Sequence, residues 1–504
     1  MARGSALVFT LATLALVARA NVELAPPFCD HAVLQRDRAV PVWGFADAGE
    51  EVAVRFHGAE VHAVTGPDGR WSVMLGPLPA SREGADLVVA GRTTAIAHDV
   101  VVGDVFLCSG QSNMGMTVAR SQNAQEEIAA ANFPLVRVLS VRNTVAEKPA
   151  TTVVTTGWRI ASPETAGGFT AVGYFFARDL QRELGIPIGV LHSSYGGTRI
   201  EAWLSEAAIG GDPAFAGIVP AWKADNGVPY AKRRADYDAA LAEWQAGDDR
   251  ARAAGGEAAA RYRREHRRPS APMGPQQAPS ALFNGMINPI VPYAVRAILW
   301  YQGESNVWNA GDYRRLFPAL ITSWRAHFGR EDLPFFWVQL ANFADKHDWS
   351  WLREAQTQAL ALPNTGQAVA IDIGEPGDIH PRNKQEVARR LLLIANAKLY
   401  GGHEEYSGPM LAASTREDGA IRVRFTHADG GLTVRGGAVT SLEIAGEDRV
   451  FHAAAGRIEG GELVVSAADV PSPVAVRYAW SSAPAANLYN AAGLPASPFR
   501  TDTW

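Results

Sequence analysis

Apolar and polar positions change rhythm twice along this chain. From about residue 21 to 100 they alternate over short stretches. "EVAVRF" (51–56) places its apolar residues on one face, and "VHAVTGPDGRWSVML" (61–75) reads as two strands around a turn. In that turn Pro67 presets φ and Gly69 supplies a positive φ. This is the pattern of a small β-sandwich. From about 101 to 400 the alternation gives way to solid apolar runs at 101–108, 186–191, 297–301, 335–340 and 369–373. Helical stretches such as "VGYFFARDLQREL" (172–184) lie between them. Strands buried on both faces and separated by helices predict a mostly parallel sheet wrapped in three α/β/α layers. After "GGHEEYSGP" the short alternating strands return in "IRVRF" (421–425), "ELVV" (462–465) and "VAVRYAW" (474–480). A second β-sandwich is predicted there. The fold class is therefore α/β, with units at 21–100, 101–405 and 406–504. One stretch, 223–280, breaks the rhythm with Ala, Arg, Lys and Glu and ends in "RRPSAPMGPQQAPS". It reads as charged helices and a Pro-rich linker leaving the core, or as a lid or docking surface for a long substrate.

The first twenty residues have a basic start at Arg3, an apolar run and Ala18-Arg19-Ala20. Together these make a signal peptide with cleavage after Ala20. The run falls short of the roughly 20 apolar residues of a membrane span. The expected location is secreted or periplasmic, with no membrane attachment after cleavage. Of 504 residues, 47 are basic and 52 acidic; cleavage leaves 45 basic residues and a charge of −7. That balance argues against nucleic acid as a partner. The two cysteines, Cys29 and Cys108, could pair in an exported protein, or Cys108 could be a buried free thiol. No Cys/His spacing suggests a metal, and no cofactor is expected. Oligomeric state is not legible.

The candidate chemistry begins in "GDVFLCSGQSNMGMT" (103–117), where small polar residues follow directly on an apolar strand. In a parallel sheet the site lies at the carboxyl ends of the strands. Ser112 on a strand-to-helix turn could be a nucleophile, although serine also serves there as a cap. A serine needs a base. His380 sits in "DIGEPGDIHPRNKQ" (372–385), on a loop between an apolar strand and the last helix of the middle region. Asp378 is placed to orient its imidazole, or both residues merely cap the helix. Two further loops leave strands at the same end. "LHSSYGGTRIEAW" (191–203) offers Gly196 and Gly197, whose backbone can approach a substrate oxygen. "ILWYQGESN" (298–306) offers the Gln302 side-chain amide and Glu304, a second carboxylate available to assist His380.

"GQSNM", "YGGTRIEAW", "WYQGESN" and "DIHPRNKQ", in that order, resemble the signature blocks of the sialate O-acetylesterase family, within the SGNH (GDSL-like) hydrolases. "YAWSSAPAANLYNAAGLPASPFRTD" (478–502) is similar to that family's C-terminal ending. The resemblance implies a serine carbohydrate O-acetylesterase of SGNH fold. In it Ser112 would be the nucleophile, His380 the base and Asp378 the third member. The oxyanion hole would comprise Ser112 N–H, Gly197 N–H and the Gln302 side chain. The superfamily usually spaces acid and base as DxxH; Gly377 stands at that position here, and Glu304 is the alternative carboxylate. The partner implied is an acetylated carbohydrate, either an O-acetylated sialic acid or a hemicellulose such as xylan or xyloglucan. Asn113, Arg199, Trp203 and Arg353 are candidate substrate contacts. Trp203, Trp300, Trp308, Trp349 and Trp351 could stack on sugars or pack in the core. Arg199 and Arg353 could bind a carboxylate or pair with Glu201 and Glu354. The competing class is an inactive carbohydrate-binding protein. A peptidase is a third reading, and no peptide-binding strand or specificity pocket is apparent for it.

Overall fold

A computed structural model describes residues 21–504; the expected signal peptide lies outside the described residues. The architecture is mixed α/β, with one large mixed sheet and additional β-sheets. Seven strands form the part that positions the site. They are β1 (Thr94–Gly110), β2 (Phe133–Val141), β3 (Thr155–Ala161), β4 (Ile188–Ser194), β5 (Ala297–Tyr301), β6 (Phe335–Gln339) and β7 (Thr365–Val369). Their order is β3-β2-β4-β1-β5-β6-β7, all parallel except the antiparallel edge strand β3.

Four helices flank this sheet: α1 (Ala171–Leu184), α2 (Ala310–His327), α3 (Ser350–Gln358) and α4 (Lys384–Leu399). Side-chain direction assigns them to faces. Phe106 of β1 meets Phe176 of α1 at 4.8 Å, and a Cβ on Gly173 would lie 3.2 Å from Cys108 Sγ. Glycine at 173 therefore lets α1 seat closely on the sheet. Leu299 is paired with Cys108, and Phe336 with Gly366, whose position abuts Ile394 of α4. These residues share the α1/α4 face. Trp300, paired with Ser109, points the opposite way and meets Trp324 of α2 at 5.5 Å. Helices cover both faces, as a sheet of two-sided apolar strands requires.

Two boundaries differ from the sequence reading. Strand β1 is continuous for 17 residues. Its first half pairs antiparallel with Ser81–Ala90, and its second half lies between β4 and β5. A division at 100/101 therefore falls inside one strand, and Trp43 and Val54 share one apolar core with Phe106 and Leu391. The apolar run 369–373 is largely not a strand. β7 precedes it, because Thr365, Gly366 and Gln367 are buried in the ladder and Asp372 pairs with buried Arg390 at 2.6 Å. The C-terminal sheets have their own core around Ile421, Ile444, Val465 and Tyr478. The 223–280 stretch contains the helices Tyr230–Ala253 and Gly256–Glu265, joined by Arg263–Asp248 at 2.7 Å. Among the described residues no helix is long and apolar enough to cross a membrane. Cys29 and Cys108 are both free thiols.

Candidate active site

The site forms where β1, β4 and β5 end together. At the exit of β1, Gly110 has φ +134°, and a Cβ there would sit 2.1 Å from the Tyr301 carbonyl oxygen. Only glycine fits that close approach. The Gln111 N–H donates to the same carbonyl at 2.9 Å, and Tyr195 N–H donates to the Gly110 oxygen at 3.1 Å. Gln111 Oε1 accepts from the N–H groups of Gly303 and Ser305, both at 3.3 Å. Three strand ends are thus stitched together, and Ser112 opens a short helix, Ser112–Gly115, on top of them.

His380 arrives from the loop after β7. Its Nε2 lies 2.8 Å from Ser112 Oγ. Its Nδ1 lies 3.5 Å from Asp378 Oδ1, and the same oxygen accepts the His380 backbone N–H at 2.9 Å. Burial pushes the imidazole pKa below its ordinary value, and the Asp378 charge partly opposes that shift. A neutral imidazole within hydrogen-bond reach of a hydroxyl can accept its proton.

Beneath the pair is a buried polar network. Asn113 Nδ2 donates to Glu304 Oε1 and, at 2.9 Å, to the Ile379 carbonyl; Lys384 Nζ donates to Asn113 Oδ1 at 2.6 Å. Lys384 also lies over the Tyr301 ring at 4.9 Å. Burial lowers the Lys384 pKa to about 7 and raises that of Glu304. Asn113 thereby ties the serine turn to the backbone next to His380. Lys384 had no role in the sequence reading. Its signal was its place on the inward face of α4, where a lysine needs a partner.

Several expected residues are engaged elsewhere. Gln302 donates its amide to the Thr198 carbonyl at 3.1 Å and to Asn306 Oδ1 at 2.8 Å, so both N–H groups are used. It braces the glycine loop and is not positioned as an oxyanion donor. Glu304 is held by Asn113, and no hydrogen bond or ion pair joins it to His380. Asn113 is buried with all its amide groups bonded, so it cannot offer them to a substrate. Trp203 is fully buried against Trp300, and Trp349 is also buried. Arg353 is fully buried and donates to the carbonyls of Leu340, Ala341, Ser481 and Ser482, an apolar-core cation satisfied by backbone. Neither Trp203 nor Arg353 can meet a sugar. Arg199 is half-buried and stacks on Trp308 at 4.5 Å; Glu201, its expected partner, instead accepts from Asn306 and Asn309. Gly196 abuts Ser112, since a Cβ there would lie 3.3 Å from the serine Cβ, and Gly197 follows it with φ +69°. Among the described residues no group of three or more His, Cys, Asp or Glu side chains is arranged to hold a metal ion.

Comparison with known proteins adds the family. Residues 102–227 and 251–391 match the family described as carbohydrate esterase, sialic acid-specific acetylesterase. The chain belongs to this family. The match leaves out 228–250, most of the long helix Tyr230–Ala253, and includes Ser112, Gly197 and His380. The sialate O-acetylesterase of Rattus norvegicus is 34% identical over 428 residues, which are 76% of this chain and 74% of the relative. That of Homo sapiens is 33% identical over 422 residues, 75% and 71% of the two chains. A solved carbohydrate acetylesterase from Xanthomonas citri superposes with a TM-score of 0.81 at 38% identity. It covers 96% of this chain and 100% of its own. An acetylesterase family is one of carboxylic ester hydrolases.

Proposed function

We propose that this protein is a serine carbohydrate O-acetylesterase of the SGNH type, exported by its N-terminal segment. The 2.8 Å contact between Ser112 Oγ and His380 Nε2 carries the reading. His380 Nε2 takes the hydroxyl proton as Ser112 Oγ attacks the acetyl carbonyl carbon. The oxygen that becomes negative is received by backbone N–H groups of Ser112 and Gly197. The C–O bond to the sugar breaks, and the protonated His380 returns its proton to the departing sugar oxygen. Water, deprotonated by His380, attacks the acetyl-serine; acetate leaves and Ser112 recovers its proton. Asp378 orients His380 through Nδ1. The substrate is an acetylated sugar, sialic acid or hemicellulose.

Acetate release tests this directly. Wild-type protein should release acetate from an aryl acetate and from one class of acetylated glycan. Ser112→Ala and His380→Ala should each lose on the order of 10⁴-fold or more in kcat. A folded wild-type protein that releases none, or a Ser112→Ala variant as active as wild type, refutes the reading.

A further inference from the structure

The carboxyl end of the central sheet carries a concavity reached from the loop after β5, the loop whose Ser305 N–H bonds Gln111 next to Ser112. It is a cleft of about 470 Å³ between the loop after β5, the start of α2 and the loop and helix after β6, and Arg500 of the C-terminal region lines it as well. That volume is in the range of small-molecule sites. Two tryptophans line it. Trp308 is 53% and Trp351 39% exposed, whereas Trp203, Trp300, Trp324 and Trp337 are fully buried. A single exposed indole is unremarkable, but two opening into one cleft suggest a recognition surface.

Both rings are fixed in advance. Trp308 Nε1 donates to the Ser305 carbonyl at 3.0 Å, and the Arg199 guanidinium stacks on the ring at 4.5 Å. Arg500 stacks on Trp351 at 4.5 Å, with Trp480 edge-on at 5.4 Å. Preset platforms lose little freedom when a ligand arrives. The cleft is also coupled to the chemistry: Ser305, three residues before Trp308, donates its N–H to Gln111, the residue before Ser112.

The charges in the lining select among ligands. Arg314 and Arg500, Asp348 and Glu354, and His347 line the cleft, and Arg500 is already paired with Glu354 at 2.7 Å. Two guanidinium groups against two carboxylates give a carboxylated ligand no excess of positive charge. They do offer donors and acceptors to hydroxyl groups, and the indoles offer flat apolar faces to C–H groups.

We propose that this cleft is a sugar subsite that takes an uncharged pyranose ring, next along an oligosaccharide from the acetylated residue at Ser112. The proposal rests on the esterase reading for the neighbour at Ser112. The test separates the two by measuring binding without turnover. Full-length Ser112→Ala protein is titrated with unacetylated xylo-, cello- and xyloglucan oligosaccharides and with N-acetylneuraminic acid, by calorimetry and tryptophan fluorescence. At least one neutral oligosaccharide should bind and change the fluorescence. Adding Trp308→Ala or Trp351→Ala should weaken that binding at least tenfold, and Trp308→Phe should recover part of it. Because Trp308 is largely exposed, its substitution tests the site even if Trp351→Ala folds poorly. The proposal is overturned if no neutral oligosaccharide binds, if neither tryptophan matters, or if N-acetylneuraminic acid binds more tightly than every neutral sugar. Aryl acetate hydrolysis by the wild type reports separately on the esterase reading.

Discussion

The turn that carries Ser112 and the loop that carries His380 meet across 2.8 Å, yet they are held differently. The serine turn is an extension of the core. It ends the central strand of the sheet, with Gly110 against the Tyr301 backbone and Gln111 bonded twice to the loop after β5. The histidine loop leaves the core. Pro376, Gly377 and Asp378 are exposed; Arg382 N–H donates to Glu375 Oε1 at 3.0 Å and Asp378 N–H to the Glu375 carbonyl at 2.9 Å, and from outside the loop Ala344 N–H donates to the Pro376 carbonyl at 2.9 Å and Gln122 N–H to the Arg382 carbonyl at 2.8 Å. The buried tie between the two is Asn113, through the Ile379 carbonyl. The position of Ser112 is therefore inherited from sheet packing, whereas that of His380 depends on a few polar contacts. Substitutions in the backbone under Ser112 should cost folding, and those in the loop around His380 should cost rate.

The largest effect is expected at Gly110. Alanine there puts a methyl group 2.1 Å from a carbonyl oxygen in a strand junction that cannot yield, at a φ that L-residues avoid. Gly110→Ala should lose more than about 4 kcal/mol of stability. Thermal unfolding and soluble yield measure this. A variant that melts like wild type would break the distinction between the two sides.

Asn113→Ala comes next, because it acts on both. It removes the amide from a buried carboxylate, a buried ammonium and the Ile379 carbonyl. Bonds to charged groups are worth about 1.5–3 kcal/mol each, and the residual Glu304–Lys384 attraction offsets part of their loss. With the His380 backbone released, kcat should fall roughly a hundredfold, the scale of a misplacement of about 1 Å. KM should change little, since Asn113 faces no substrate. A rise in KM with kcat intact would return Asn113 to substrate binding.

This division also explains what the sequence made legible. Solid apolar runs announce two-sided burial, so the parallel sheet was legible from the runs at 101–108, 186–191, 297–301 and 335–340, and Ser112 stood out because the first of them ends beside it. The strand before His380 was misplaced because Thr365, Gly366 and Gln367 look polar, although the sheet buries them. A break at residue 100 was invisible as an error: alternating and solid apolar patterns adjoin there, but one strand carries both. Residue type alone could not show where Gln302 and Arg353 spend their hydrogen bonds. An amide or guanidinium can equally face a ligand or satisfy buried carbonyls, and only the packed structure decides. Lys384 went unread for the same reason: its helical spacing puts it on the inward face of α4, but only the packed structure supplies the Asn113 carbonyl oxygen that it bonds.

The smallest effect is expected at Asp378, and it sharpens the comparison most. In a buried triad, removing the orienting charge costs about 10⁴-fold in kcat. Here the carboxylate is 55% exposed, lies 3.5 Å from Nδ1 and also serves the His380 N–H. Solvent screening reduces its influence. Asp378→Asn should therefore lower kcat by only about tenfold. The pH dependence fixes the sign. On the proposed mechanism the base must be neutral, so activity should rise with pH as His380 loses its proton. Burial already places that midpoint below the ordinary value of about 6.5, and Asp378 works against burial by favouring the charged ring. Removing the charge should move the rising limb of kcat/KM to still lower pH, leaving the variant on its plateau at neutrality. A 10⁴-fold loss would mean that Asp378 holds the imidazole as tightly as the sheet holds Ser112, and a shift to higher pH would mean that its charge does not favour the protonated ring.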